Sequence, residues 1–110
     1  MKFLFTIKIK DGASEQDYIN AWERGSAIIQ SSEGAEGTVL YRKIGEPGTL
    51  LAIATWKSKE ARDAAMERLA EAGLKTQKIL DAHKEYGITN ILGNYEGITS
   101  VGPGGISPKP

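Results

Sequence analysis

The sequence contains no cysteine and a single histidine, and these two shortages exclude several kinds of site. Without cysteine, the chain can have no disulfide, no catalytic thiolate and no cysteine-bound zinc or iron–sulfur cluster. With His83 as its one imidazole, the chain cannot build a metal site from several histidines of its own. We therefore expect no metal centre, and any reaction must depend on a small set of other side chains.

The sequence also lacks an excess of charge of either sign. Its fourteen basic and fourteen acidic residues cancel, and the lysines and arginines do not gather in one dense run. This balance removes the electrostatic basis for binding nucleic acid or an anionic membrane. The stretch Met1–Lys8 carries lysines among its apolar residues, which is not the pattern of a signal peptide or a membrane span. We expect a cytoplasmic protein with neither partner.

The chain has the length of one domain followed by a short tail. Its 110 residues match a single domain of common size. The last fourteen residues contain four glycines and three prolines, a composition that cannot build a core. We therefore predict a folded domain over residues 1–96. Residues 97–110 are predicted to form a flexible Gly/Pro-rich tail or an arm that lies on a partner.

The hydrophobic pattern predicts four strands and two helical regions in the order strand–helix–strand–strand–helix–strand. The predicted ranges are Phe3 to Ile9, Ser14 to Ser32, Gly37 to Ile44, Leu50 to Trp56, Ser58 to Glu85 with a break at Gly73, and Ile88 to Tyr95. This order is that of the ferredoxin-like βαββαβ fold, which belongs to the α+β class. It has a four-stranded antiparallel sheet with helices on one face.

The two strands that this fold places at the centre of its sheet are apolar on both sides. These are the strand that includes Phe3–Ile7 and the strand Leu50–Trp56. Helices cover only one face of the sheet, so the other face needs a second cover. A symmetric copy of the chain is the simplest one, and we predict a homodimer.

Several short motifs carry a resemblance to a known family. They are Glu33–Gly37, the strand residues Leu40–Arg42, the turn Glu46–Gly48 and the run Ala54–Ala61, which contains Trp56-Lys57-Ser58-Lys59-Glu60-Ala61. Together they resemble the antibiotic-biosynthesis-monooxygenase family, roughly from Met1 to Tyr95. The resemblance implies a dimeric α+β barrel with a pocket between sheet and helices in each subunit. Family members include cofactor-independent oxygenases of aromatic polyketides and quinols, and haem-degrading enzymes.

Trp56 is the first candidate for the site, because it belongs to the motif and ends a predicted strand. By alternation it shares a face with Ala52 and Ala54, whose small side chains leave space above the sheet. An aromatic side chain in such a place is either a stacking platform for a flat ligand or a plug in the core. Both interpretations stay open.

His83 is the second candidate. On the last predicted helix it falls on an apolar face with Ile79, Leu80 and Tyr86. Imidazole titrates near neutral pH, so His83 is a candidate general base. The alternative is a partly buried, hydrogen-bonded residue of the core.

Three further residues are predicted to border the pocket. Arg68 is expected within the alanine stripe of the second helical region, where it would stabilise an anionic group or extend along the edge of the helix. Tyr18 and Trp22 lie on the apolar face of the first helix, as pocket or core residues. The catalytic candidates are thus His83 and Trp56, and the pocket candidates are Trp22, Tyr18 and Arg68.

The leading functional prediction is a cofactor-independent monooxygenase that acts on a small electron-rich aromatic, such as a phenol, quinol or polyketide-like compound. The alternatives are a haem-binding or haem-degrading protein and a non-enzymatic dimeric ligand-binding module. Haem is disfavoured because the resemblance implies a histidine where this chain has Met66, and an asparagine on the first strand, which has none. The aromatic-polyketide oxygenases have an amide and a tyrosine where this chain has Ala52 and Arg62.

Overall fold

The computed structural model describes residues 1–106 of the chain. Its elements are β1 (Lys2–Ile9), α1 (Glu15–Gln30), β2 (Ala35–Arg42), β3 (Thr49–Trp56), α2 (Lys59–Ala70), α3 (Leu74–Asp81), a 3₁₀ turn (Ala82–Glu85) and β4 (Gly87–Tyr95). The strands form one sheet in the order β2-β3-β1-β4, and every neighbouring pair is antiparallel. This is the predicted ferredoxin-like α+β arrangement, with β1 and β3 at the centre.

The two longer helices begin at the serines that the sequence predicted. The Ser14 hydroxyl oxygen accepts a hydrogen bond of 3.2 Å from the backbone N–H of Asp17, at the start of α1. The Ser58 hydroxyl oxygen accepts one of 3.0 Å from the N–H of Ala61, at the start of α2. Each bond satisfies a backbone donor that has no partner within the first turn of the helix. Local sequence therefore fixes where both helices start.

Two element ends differ from the sequence prediction. Strand β2 ends at Arg42 rather than Ile44, because the chain turns through Glu46 and leaves the Ile44 side chain 98% exposed. The helix after Gly73 ends at Asp81, so His83 lies in the 3₁₀ turn and not in an α-helix. There the Tyr86 N–H donates to the His83 carbonyl at 3.0 Å, a bond across three residues.

One face of the sheet is covered by the helices and forms the core. Alternate residues of β3 are buried on this side, as the pattern predicted. The buried apolar residues of the described chain are Ile7, Tyr18, Ala21, Leu50, Ala52, Ala54, Trp56 and Ala65. We call this side the covered face.

The opposite side of the sheet has no helix over it, and we call it the open face. Cross-strand neighbours on this side include Val39 with Ile53 and Tyr41 with Leu51. Leu4 lies opposite Ile53 on the neighbouring strand. Val39 is 49% exposed and Tyr41 is 48% exposed. The bare apolar face that the sequence predicted is therefore present, and the homodimer stays a prediction.

Strands β1 and β4 pair with one irregularity. Phe5 lies opposite Ile91, but Leu4 lies opposite Gly93, so Leu92 has no direct partner on β1. This is a β-bulge, an extra residue in one strand of a pair. Gly93 adopts φ +123°, a backbone conformation that other residues rarely take. Beyond the bulge, Tyr95 lies opposite Lys2 on the open face.

The predicted tail is described as far as Ile106. It contains a 3₁₀ turn over Pro103–Gly105, and its apolar side chains Ile98, Val101 and Ile106 are exposed. Residues 107–110 lie outside the described residues, and the division of the chain at residue 96 stays a prediction. None of the helices within residues 1–106 has the length and apolar character needed to cross a membrane.

Candidate functional site

A cavity of about 110 Å³ lies between the covered face of the sheet and the helices. The central strands contribute its floor, which includes Phe3, Phe5, Ala54 and Trp56. The helical side contributes Tyr18, Trp22, Arg62, Met66, Leu80 and His83. Most of the lining is apolar, and four of the five residues predicted for the site are among these side chains.

Small residues explain why this space exists. Ala54 lines the cavity from β3, where a larger side chain would project into it. On the other side, Gly25 of α1 lines the cavity and is buried against α3, so that a Cβ atom there would lie 3.5 Å from the Ile79 carbonyl oxygen. Helices α1 and α3 therefore pack closely beside the cavity, and the small side chain of Ala54 on the sheet leaves the cavity unfilled.

Trp56 is buried in the core and also lines the cavity, and its role as a stacking platform stays a prediction. Its side chain is 1% exposed and packs with Ala54 and Ala65 in the core. The same side chain lines the cavity. Its backbone N–H donates to the Met1 carbonyl oxygen at 2.9 Å, which fixes the end of β3 against the start of β1. Trp56 is thus a rigid wall. Trp22 of α1 is partly buried and lines the cavity as well.

Tyr18 has a fully buried side chain with an unused hydroxyl group. The residue is 0% exposed, and the described part of the chain offers its hydroxyl no hydrogen-bond partner. Burial raises the pKa of the Tyr18 phenol above its ordinary value, so the hydroxyl keeps its proton at neutral pH. Tyr18 therefore lines the cavity with a residue whose hydroxyl is neutral, buried and unpaired.

The position of the Tyr18 ring depends on Gly87 at the start of β4. A Cβ atom at Gly87 would lie 2.7 Å from Ile7 Cγ2 and 2.9 Å from the Tyr18 ring. Only a residue without a side chain allows the ring to lie this close to the strand. Gly87 lies between the predicted helical region that ends at Glu85 and the predicted strand that begins at Ile88, and the sequence did not predict its packing role.

His83 lies beside Tyr18 on the cavity wall. The two rings are 6.1 Å apart between centroids and meet edge to face at 86°. Burial lowers the pKa of His83 below the usual imidazole value, and a hydrogen bond with the backbone of Leu80 opposes this shift. The imidazole is consequently neutral at pH 7 and has a nitrogen able to accept a proton.

Arg68 does not lie at the cavity, and Arg62 does. The Arg68 side chain is exposed, whereas Arg62 is half-buried and lines the cavity together with Met66. At 100° per residue, Arg68 points about 160° away from Met66 around the helix axis. The expectation that Arg68 projects into the alanine stripe is therefore wrong, because α2 faces the sheet with a different side.

The Arg62 guanidinium has an unusual environment for a cation. Its central carbon lies 3.6 Å from the centroid of the Phe3 ring, in a cation–π contact. None of the ion pairs within residues 1–106 includes Arg62. Burial lowers the pKa of Arg62, and the nearby Asp63 carboxylate acts in the opposite direction. The sequence signal for Arg62 was its spacing, since it follows Trp56 by six residues and precedes Met66 by four.

The cavity has two chemically different ends. At one end, Arg62 lies over Phe3, which packs against the buried cluster that contains Trp56. At the other end, Phe5 packs against the buried cluster that contains Tyr18, and His83 lies beside Tyr18. One end thus carries a fixed positive charge, and the other carries two neutral hydrogen-bonding groups. Within residues 1–106, no group of three or more His, Cys, Asp or Glu side chains is arranged to hold a metal ion.

The structure is similar to several solved structures. SnoaB from Streptomyces nogalater, described as a cofactor-independent oxygenase, has a TM-score of 0.66 at 13% identity, over 88% of this chain and 94% of that chain. A conserved protein from Methanosarcina mazei has a TM-score of 0.62 at 15% identity, over 86% and 91% of the two chains. A candidate antibiotic biosynthesis monooxygenase from Chloroflexus aurantiacus has a TM-score of 0.58 at 14% identity, over 88% of this chain and 96% of that chain.

No family model matches the sequence, and no curated protein matches it. At 13–15% identity the structural likeness concerns the fold, and it extends over most of each chain. The motif resemblance in the sequence and the sheet topology both indicate this same fold. The chain has the fold of the antibiotic-biosynthesis monooxygenases.

Proposed function

We propose that this protein is a cofactor-independent monooxygenase that acts on a small electron-rich aromatic in the cavity above β1 and β3. The observation that carries the proposal is a neutral, half-buried His83 on the wall of an apolar cavity that Trp56 also lines. This combination supplies a base for a phenol proton and a rigid aromatic wall for a flat ring.

The proposed reaction needs no group beyond substrate, dioxygen and a base. His83 accepts the proton of a phenolic hydroxyl, and the resulting phenolate transfers one electron to dioxygen. The two radicals combine at a ring carbon that bears hydrogen, ortho or para to the oxygen, and the peroxide takes up a proton. Loss of water from this hydroperoxide leaves a carbonyl at that carbon. In total, a phenol and O₂ give a quinone and H₂O, and His83 returns to its neutral form.

The size of the cavity favours a single ring over a haem. Its volume of about 110 Å³ is smaller than the engineered cavity of about 150 Å³ that binds benzene in another protein. Haem is several times larger than benzene and would require the walls to separate. His83 also packs against the Tyr18 ring, which limits its freedom to turn towards an iron atom.

Oxygen consumption tests this proposal directly. An oxygen electrode would record turnover of monocyclic phenols and hydroquinones by the unmodified protein. Replacing His83 by alanine should lower the turnover by about 10²-fold or more if the imidazole is the base. Lys84→Ala is the matched control, because Lys84 is the exposed neighbour in the same 3₁₀ turn. Equal oxygen uptake by His83→Ala and the unmodified protein would contradict the assignment.

A non-enzymatic ligand-binding module is the second candidate. It is favoured by Ala52, which is fully buried and lies where aromatic-polyketide oxygenases have an amide. Both candidates predict quenching of tryptophan fluorescence when an aromatic enters beside Trp56 and Trp22. Saturable quenching without oxygen uptake would identify a binding protein and reject the oxygenase.

We also infer that two copies of the chain pair through the open face. Leu51 and Ile53 lie on the solvent side of a central strand, and their neighbours Val39 and Tyr41 are about half exposed. Exposed apolar groups on neighbouring strands form the kind of continuous patch that marks an interface. Light scattering at micromolar concentration should give the mass of a dimer. A monomeric mass would reject this inference and leave the proposed chemistry untouched.

A further inference from the structure

We propose that the ligand of this cavity is a hydroxyarene carboxylate, with its carboxylate at Arg62 and its hydroxyl group at Tyr18 and His83. The inference rests on the proposed function, because it names the substrate class of the same site. It follows from two polar groups towards different ends of the cavity, neither of which has an ion-pair or side-chain hydrogen-bond partner within residues 1–106.

The first group is the Arg62 guanidinium. It lines an apolar cavity and is half-buried, yet no carboxylate of the described residues forms an ion pair with it. Three other basic side chains that do form ion pairs, Lys43, Lys59 and Lys84, are exposed. The Phe3 ring holds the guanidinium on one side and leaves its N–H donors for another molecule. A planar carboxylate matches those donors in two parallel hydrogen bonds.

The second group is the Tyr18 hydroxyl. A buried hydroxyl without a partner destabilises a folded protein, so its presence calls for a reason. Tyr18 lines the cavity, and His83 stands beside it as a neutral imidazole. A hydroxyl group of a ligand would accept from the Tyr18 O–H and donate to a His83 nitrogen. Its proton would then lie on the base that the proposed reaction requires.

Strand β1 connects the surroundings of the two polar groups. Phe3 and Phe5 are successive residues of β1 on the covered face, and their ring centroids lie 5.8 Å apart. Arg62 lies over Phe3, and Phe5 packs against the buried cluster that contains Tyr18. The cavity of about 110 Å³ is partly open to solvent, so a single ring with a polar group at each end can lie along this floor and project in part beyond it.

Four probes of nearly equal shape distinguish the contributions of the two ends to binding. They are benzoate, benzamide, para-hydroxybenzoate and para-hydroxybenzamide, which differ in the charge at one end and the hydroxyl group at the other. Affinities are measured by tryptophan fluorescence under nitrogen, so that turnover does not contribute. For the unmodified protein, benzoate should bind about tenfold or more tightly than benzamide. Each para-hydroxy compound should bind more tightly than its parent.

Variants at α2 test the charged end. Arg62→Gln should bring the affinities for benzoate and benzamide within about twofold of each other, because the charge-assisted hydrogen bonds are lost. Arg62→Lys should keep part of the preference, since it retains the charge without the planar pair of donors. Arg68→Gln is the matched control on the far side of the same helix and should keep the full preference. Circular dichroism establishes that each variant is folded.

Tyr18→Phe tests the neutral end in two ways. The variant should lose most of the affinity that the para-hydroxy group adds, and it should bind benzoate as before. Its unfolding midpoint without ligand should rise, because a buried hydroxyl without a partner has been removed. If the hydroxyl instead stabilises the fold, its removal should lower that midpoint. A ligand-binding role and a structural role therefore predict changes of opposite sign.

Several results would overturn the inference. They are equal binding of benzoate and benzamide by the unmodified protein, an unchanged preference in Arg62→Gln, or no saturable binding of any probe. Failure of the oxygenase proposal gives a different result. In that case the charge preference and its loss in Arg62→Gln persist, and no aromatic supports oxygen uptake in air.

Discussion

The two faces of the sheet are both apolar, but they differ in the size and shape of their side chains. On the covered face, β3 presents Ala52 and Ala54 between Leu50 and Trp56. On the open face, the same strand presents Leu51 and Ile53 beside Val39 of β2. Small residues beside a large one leave a hole under the helices. Branched residues of similar size give an even surface instead.

Under the two proposals above, this difference gives separate tasks to the two sides of one strand. A hole with polar groups at its ends suits a small ligand, whereas an even apolar surface suits another protein surface. Strand alternation alone places both sets of side chains, since neighbouring residues of a strand point to opposite faces. Changes on one face should therefore affect one task and leave the other intact.

The largest effect is expected from Trp56→Ala on the covered face. Trp56 is 1% exposed and fills the end of the core, so its removal should cost about 3–5 kcal/mol of unfolding free energy. Urea denaturation followed by circular dichroism measures this loss. Ile44→Ala, in the exposed turn, should stay within about 0.5 kcal/mol of the unmodified protein. A loss below about 1 kcal/mol for Trp56→Ala would contradict the rigid-wall assignment.

A smaller effect is expected from Val39→Asp on the open face. An aspartate carboxylate buried without a partner between two copies should weaken dimerisation by about 100-fold or more. Sedimentation of Val39→Asp should then show monomers at concentrations where the unmodified protein is dimeric. Ile44→Asp adds the same charge outside the open face and should leave the dimer intact. Dimerisation of Val39→Asp with unchanged affinity would place the interface elsewhere.

The smallest effect concerns the pH dependence of stability through His83. Its pKa is lowered in the folded state, so the folded protein takes up this proton less readily than the unfolded chain. His83 therefore costs no stability above the ordinary imidazole pKa of about 6.5, and it destabilises the fold as the pH falls below that value. The stability of His83→Gln relative to the unmodified protein should rise over that range. Urea titrations at several pH values measure the difference in unfolding free energy between the two proteins. A difference that stays constant with pH would contradict the burial of the imidazole.

The fold could be predicted from the sequence because local signals and alternation agree. Ser14 and Ser58 mark the starts of two helices with a side-chain oxygen, and both hydrogen bonds are present. The alternation in β3 separates the covered face from the open face without further information. The end of α3 was missed, because Ala82–Glu85 continues the helical pattern while its backbone tightens into a 3₁₀ turn.

The candidate site was predicted less completely, and α2 shows why. Alanines occur around most of this helix, at positions 61, 64, 65 and 70. Alanine buries little apolar area, so its distribution does not fix which side of a helix faces the sheet. The sequence therefore suggested Arg68, and tertiary packing brings Arg62 to the cavity instead. By contrast, α1 carries Tyr18 and Trp22 on one distinct apolar face, and both side chains line the cavity.

The bulge at Leu92 decides which residues of β4 belong to which side of the molecule. With regular pairing beyond Phe5, Asn94 would lie opposite Lys2, and Tyr95 would point towards the helices. The extra residue shifts the count by one, so that Asn94 lies opposite Phe3 and Tyr95 joins the open face. A strand of the same length paired without the bulge would therefore exchange an amide and a phenol between the two faces, whereas removing residue 92 would restore regular pairing and keep both side chains on their present faces. The bulge thus lets β4 hold one more residue before its last two side chains while each of them keeps its present face.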